Sequence, residues 1–199
     1  MALITFPEGL RPQTATYDLI RADAGEDGPF GELQVIERLH TAKWMQVLGF
    51  TALKGDLRRL ALGFAQHIGF RGNTVRLPIF GYERGGPGGG TPLVAGASQT
   101  GRTLATDGWP NSTLVLRYGD LIEVNGGLHQ LTADATTNGT GQVTLQIEPA
   151  LKSSPADNAP IEYLQPTALF QFQGGQMARV TRIDEGQVTS DLTIPLLEA

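Results

Sequence analysis

Glycine and proline interrupt this chain at short intervals. They supply 26 and 12 of its 199 residues, nearly a fifth, against an average combined share of about 12%. Glycine reaches positive φ without steric cost and proline removes a ladder donor, so such a chain reads as short strands joined by many turns. One stretch escapes the interruptions. Leu57, Leu60, Ala61, Phe64, Ala65 and Ile68 recur at the i, i+3, i+4, i+7 spacing of a single apolar stripe, which predicts one helix over about 56–68. Asp56 is placed as its N-cap or first-turn acid, and Gly69 and Gly72 supply residues able to end it in a left-handed conformation.

Strands are read before the helix at 10–18, 33–39 and 43–50, with a polar, glycine-bearing turn over 23–28. After it, 74–80 reads as a strand that Pro78 confines to an edge or a bulge. Residues 81–90, Gly-Tyr-Glu-Arg-Gly-Gly-Pro-Gly-Gly-Gly, hold too few apolar side chains for a core, and they read as a flexible connector. Beyond it, short strands at 103–106, 113–117, 120–124, 129–135 and 142–148 are spaced like those of a small sandwich or barrel. Asn125-Gly126 suits a tight hairpin, 137–141 supplies a second turn, and Pro149 is read as the end of the last strand. A second connector, 152–160, precedes strands at 168–172, 178–183 and 187–195. A strand set on each side of such an insertion implies a discontinuous parent domain.

Charge and composition exclude several function classes. Fifteen Lys and Arg against twenty Asp and Glu give a net charge of −5, which disfavours binding along a nucleic-acid backbone. No apolar run reaches the length of a membrane-spanning helix, and no secretory signal is read at the start of the sequence. The absence of cysteine rules out disulfides, thiolate ligands and a cysteine nucleophile, and fits folding in a reducing cytosol.

Catalytic patterns are missing as well. His40, His67 and His129 fall in separate elements without a neighbouring acid or nucleophile pattern, so they read as structural or surface residues. Residues 86–90 lack the Gly-Lys-Ser/Thr and following helix of a phosphate loop. Asp120 and Glu123 lie on opposite faces of a strand, which is wrong for a glycosidase pair, and they read as solvating a hairpin edge. Trp44, Trp109, Tyr82 and Tyr118 are types that stack on sugars, but their dispersal points to core or interface packing. No catalytic, cofactor or metal residue is assigned and no enzyme activity is expected. The polar helix face, Arg58, Arg59, Gln66 and His67, is a candidate subunit interface.

Two stretches carry a family resemblance. Residues 44–50, Trp-Met-Gln-Val-Leu-Gly-Phe, followed by the helix and by Phe70-Arg71-Gly72-Asn73-Thr74-Val75, resemble an order found in phage tail-tip proteins. Residues 94–110, running into 116–124 and continuing through 131–134 and 141–151, are similar to small β-barrel insertions of siphophage tail proteins. The family is that of the distal tail proteins of long-tailed bacteriophages. The resemblance implies a baseplate or tail-tip ring that joins the tail tube to the tip through a tail-tube-like β-sandwich with one helix. Its implied partners are copies of itself in a hexameric ring, the tube protein and the tip or hub proteins. Assembly would take place in the host cytoplasm, and the product would sit at the tail tip of the virion. The insertion is short beside the carrier domains with which some distal tail proteins hold receptor-binding proteins.

The resulting expectation is a mainly β chain. Residues 1–90 plus 161–199 would form a discontinuous, ring-forming β-sandwich, and 91–160 an inserted small β-barrel. The residues leave two other roles open: a carbohydrate-binding module recognising host glycans through the barrel, with Trp109 as its stacking residue, or another tail component such as a terminator or tube subunit.

Overall fold

A computed structural model describes residues 2–21, 24–27, 33–36, 41–174, 177–184 and 187–199. The protein is mainly β with one helix. β1 (Leu3–Ile4), β2 (Thr14–Ile20), β3 (Ala24–Asp27), β4 (Leu33–Ile36) and β5 (Lys43–Leu53) precede α1 (Gly55–Ile68). There follow β6 (Thr74–Pro78), β7 (Leu93–Val94), β8 (Gly101–Asp107), β9 (Leu114–Leu116), β10 (Leu121–Val124) and β11 (Gly127–Leu131). The chain ends with β12 (Ala135–Thr136), β13 (Val143–Leu151), β14 (Ile161–Glu162), β15 (Thr167–Phe172), β16 (Ala178–Asp184) and β17 (Gln187–Glu198). Two compact units result: Met1–Asp18 with Trp44–Gly81 and Thr167–Ala199, and Leu19–Lys43 with Tyr82–Pro166.

The first unit is built on a seven-stranded mixed sheet ordered β1-β6-β15-β17-β5-β2, with β16 also beside β17. β1 and β6 run parallel, whereas β6–β15, β15–β17, β16–β17 and β17–β5 are antiparallel. β17 is long enough to serve two neighbours on one side: its first seven residues pair with β16 and its last three with β15, while β5 pairs along the other side. On β5, Trp44, Gln46 and Leu48 are buried and alternate with the half-buried Lys43, Met45 and Val47, the period-2 pattern of a strand with one core face. Pro78 is the last residue of β6, beyond the reach of β1, so its missing donor breaks no rung.

The apolar stripe of α1 buries Ala61, Phe64, Ala65 and Ile68, while Leu57, expected in that stripe, is exposed. Phe6 meets Phe64 edge-on at 5.1 Å, and full burial of each large apolar side chain here is worth about 1.5–3 kcal/mol. Lys54 occupies the N-cap position without a side-chain cap, and Asp56 lies in the first turn. Gly69 does not close the helix in a left-handed conformation. Its φ is −66° and its N–H still bonds to Ala65 O at 3.0 Å; the left-handed residue is Gly72, at φ +87°. A Cβ at Gly69 would lie 3.0 Å from Ala65 O and 3.2 Å from Met177 Cε, a tight fit that glycine avoids. Residues 24–27, expected within a turn, form β3 and pair with β4.

The second unit is organised around a six-stranded antiparallel sheet ordered β14-β10-β11-β13-β8-β7. Its ends come together: Leu93 bridges Pro160, Val94 N–H donates to Ala159 O, and Ile161 N–H donates to Pro92 O. The sheet thus closes nearly into a barrel around Leu104, Val115, Ile122, Leu145 and Ile147. The expected hairpin joins β10 to β11, with Asn125 at φ 51° and Gly126 at φ 77°, the positive values its turn demands. In the second turn, Asn138 Oδ1 accepts the N–H groups of Thr140 and Gln142. Pro149 does not end its strand. β13 continues to Leu151 because the β8 register shifts between Gln146 and Leu151, and proline occupies that irregularity without breaking a rung. The Glu148–Pro149 peptide is cis. Pro149 O can only accept, so His129 Nδ1 donates to it at 2.7 Å.

Candidate functional site

The structure scatters the chemistry-bearing residues singled out in the sequence. His129 is buried in β11, His67 is exposed on α1, and His40 lies outside the described residues. Among the described residues no group of three His, Asp or Glu side chains could hold a metal. Trp44 and Trp109 are core residues. Trp109 is only 4% exposed, packs 5.2 Å from the Tyr163 ring and donates its Nε1–H to Thr106 Oγ1. Neither tryptophan can therefore offer a stacking face, whereas Tyr118 is exposed.

Asp120 is the largest departure from the sequence reading. It does not solvate a hairpin edge; it is 2% exposed and holds the glycine-rich segment in place. Its Oδ1 accepts Gly85 N–H at 2.6 Å, and its Oδ2 accepts Gly86 N–H at 2.9 Å and Arg117 N–H at 2.8 Å. Tyr82 Oη donates to Oδ1 and accepts Leu121 N–H. Further along, Gly88 N–H reaches Val115 O, Gly89 N–H reaches Tyr163 Oη, and the Arg84 guanidinium lies 5.3 Å over the Tyr163 ring.

Of residues 81–90, expected as a flexible connector, 82–90 are thus a strap of the second unit. Glycine is needed at 86 because a Cβ would stand 2.6 Å from both Leu116 Cα and Val115 O. Successive backbone amides make an anion-binding concavity, and here the anion is the chain's own carboxylate. Burial pushes the Tyr82 hydroxyl above its ordinary pKa of 10.0; the Asp120 charge adds to that shift, while the Leu121 N–H and Arg84 oppose it.

The polar helix face is less uniform than its sequence suggests. Arg58 is half-buried and donates to Ser190 Oγ, and Arg59 pairs with Asp56 one turn back. Gln66 and His67 are exposed. Gln66 belongs to a groove of about 870 Å³ that α1 forms with β15, β16 and β17; Leu62, Phe70, Phe172, Val180 and Leu192 are among its lining. Phe70 is 73% exposed and Val180 52%. β2 and β16 each have a neighbour on one side only among the described residues. A second run of apolar exposure, Tyr17 and Ile20, lies on β2.

This groove escaped the sequence reading because its walls are about a hundred residues apart in the chain. The one available signal was Phe70, a large apolar residue just past the helix end. No family model matches the chain, and no curated protein matches it significantly.

Proposed function

We propose that the chain is a structural subunit of the tail tip of a long-tailed bacteriophage, forming a ring that joins the tail tube to the tip as distal tail proteins do. The observation that carries this reading is the first unit's open sheet. Two seven-residue strands, β2 and β16, each pair with a strand on one side only among the described residues, and both bear exposed apolar side chains. Natural sheets blunt or cover such edges unless pairing is their purpose. Two different surfaces on one subunit suit head-to-tail contacts, which close into a ring when the rotation permits.

The implied partners are further copies of the chain, the tube protein and the tip or hub proteins, at the tail tip of a virion assembled in the host cytoplasm. The reading requires no catalytic residue. A glycan-binding role for the barrel-like unit has less to stand on, since its chosen residue, Trp109, is buried.

Immunogold labelling of intact particles, with negative-stain microscopy of the purified protein, tests the proposal. Label at the distal end of the tail and rings of one diameter are expected. Unlabelled particles, or a protein that stays monomeric at high concentration with and without tube protein, would end it.

A further inference from the structure

We infer that the groove between α1 and β16 binds an extended, acidic segment of a partner protein, which adds as a strand to the free edge of β16. The inference rests on the geometry of the first unit; it gives the β16 edge, one of the two on which the ring reading stands, to a partner protein and leaves β2 to contacts between copies. Its first support is backbone. Ala178–Asp184 pairs with β17 over seven consecutive residues without a register shift, and no strand lies on its other side among the described residues. A regular edge of this kind leaves a row of N–H and C=O groups that an incoming strand can pair.

The second support is apolar. Strand residues alternate between faces, so a segment paired to β16 sends every other side chain toward one face. The groove there measures about 870 Å³, within the range of about 300–1,000 Å³ typical of ligand sites. Leu62 and Phe70 of the helix side oppose Phe172, Val180 and Leu192 across it. Phe70 and Val180 remain mostly exposed, which leaves their apolar area uncovered.

The third support is charge, and it selects the occupant. Among the described residues Arg179 is the one ionisable group lining the groove, and it has no partner there. Arg71 follows the lining residue Phe70 directly. Arg182, by contrast, is held by Asp191 at 3.0 Å. A carboxylate beside the apolar anchors of the incoming segment meets Arg179; a lysine in that place is repelled.

The test uses the full chain and fluorescein-labelled octapeptides in which glutamate alternates with valine, leucine or phenylalanine. Saturable binding of at least one is expected, with slowed hydrogen exchange along β16. Arg179→Glu and Phe70→Ser alter exposed side chains, so circular dichroism and melting should be unchanged while affinity falls by about tenfold or more. A peptide N-methylated at alternate residues should bind far more weakly than its parent. The inference is overturned if no acidic peptide binds, or if lysine versions bind as tightly. N-methylation without effect also overturns it. If Phe70→Ser abolishes self-association in sedimentation while the peptides fail to bind, the groove belongs to a second copy of this chain and the inference is wrong.

Discussion

The two units solve the problem of sheet edges in opposite ways. In the second, the ends of a six-stranded sheet are stitched together through Leu93 and Pro160, and a glycine strap is fastened to a buried carboxylate. In the first, β2 and β16 have one neighbour each among the described residues, and Phe70, Val180 and Ile183 stand exposed. Charge follows the same divide: the first unit has eight Lys and Arg against seven Asp and Glu, the second seven against thirteen. A sheet closed on itself has satisfied its own backbone. An open one holds interactions in reserve.

Asp120→Ala should break the contrast hardest. It leaves three backbone donors and Tyr82 without their acceptor, and since each buried donor left unsatisfied costs about 1–3 kcal/mol, the loss should be about 3 kcal/mol or more. Hydrogen exchange should speed up in β8, β11 and β13 and stay unchanged in β5 and β15. Equal acceleration in both sets would mean that the two units unfold as one.

Gly86→Ala probes the same strap sterically. The added methyl collides with Leu116 and Val115 backbone, and overpacking of that kind costs about 1–3 kcal/mol. Denaturant unfolding would measure it; a loss near zero would mean the strap can lift away without disturbing the barrel.

Tyr82→Phe is milder and carries a pH signature. Removing the phenol's hydrogen bonds should cost about 1 kcal/mol at neutral pH. The folded hydroxyl titrates above 10.0, so as pH rises past that value the unfolded chain gives up its proton while the folded one keeps it. The stabilisation is therefore whole below pH 10 and fades as pH climbs through the folded pKa. Alkaline melts of Tyr82→Phe should be flatter than wild type in that window, and parallel curves would count against the assignment.

Val180→Lys should matter least to the monomer, within about 0.5 kcal/mol as for other exposed sites. Its effect belongs to binding: a charge on a free strand edge deters pairing. Sedimentation velocity should show less acidic octapeptide bound to the variant, whereas unchanged binding would remove the β16 edge from the site.

What the sequence made legible was whatever local periodicity controls. The stripe through Ala61, Phe64, Ala65 and Ile68 located α1, and Asn125-Gly126 located the β10–β11 turn, because each depends on residues a few positions apart. The strap did not yield to such reading. Its glycines looked like slack, and only a carboxylate about 35 positions away turned their amides into ligands. Pro149 misled for a similar reason: whether proline ends a strand depends on the partner's register, which β8 supplies from outside the local sequence. The groove needed α1 and β16, and no pattern in either names the other.

The Leu93–Pro160 bridge carries one more consequence. A segment whose two ends are fastened side by side behaves as a cassette: excise it, and the stumps it leaves are a few residues from being rejoined. Replacing residues 82–166, whose flanking Pro78 and Thr167 are themselves paired, with a short glycine-serine bridge, or transplanting them into a surface loop of another protein, thus becomes an exercise in splicing. A lineage carrying this architecture could exchange its barrel by recombination at one point on the surface.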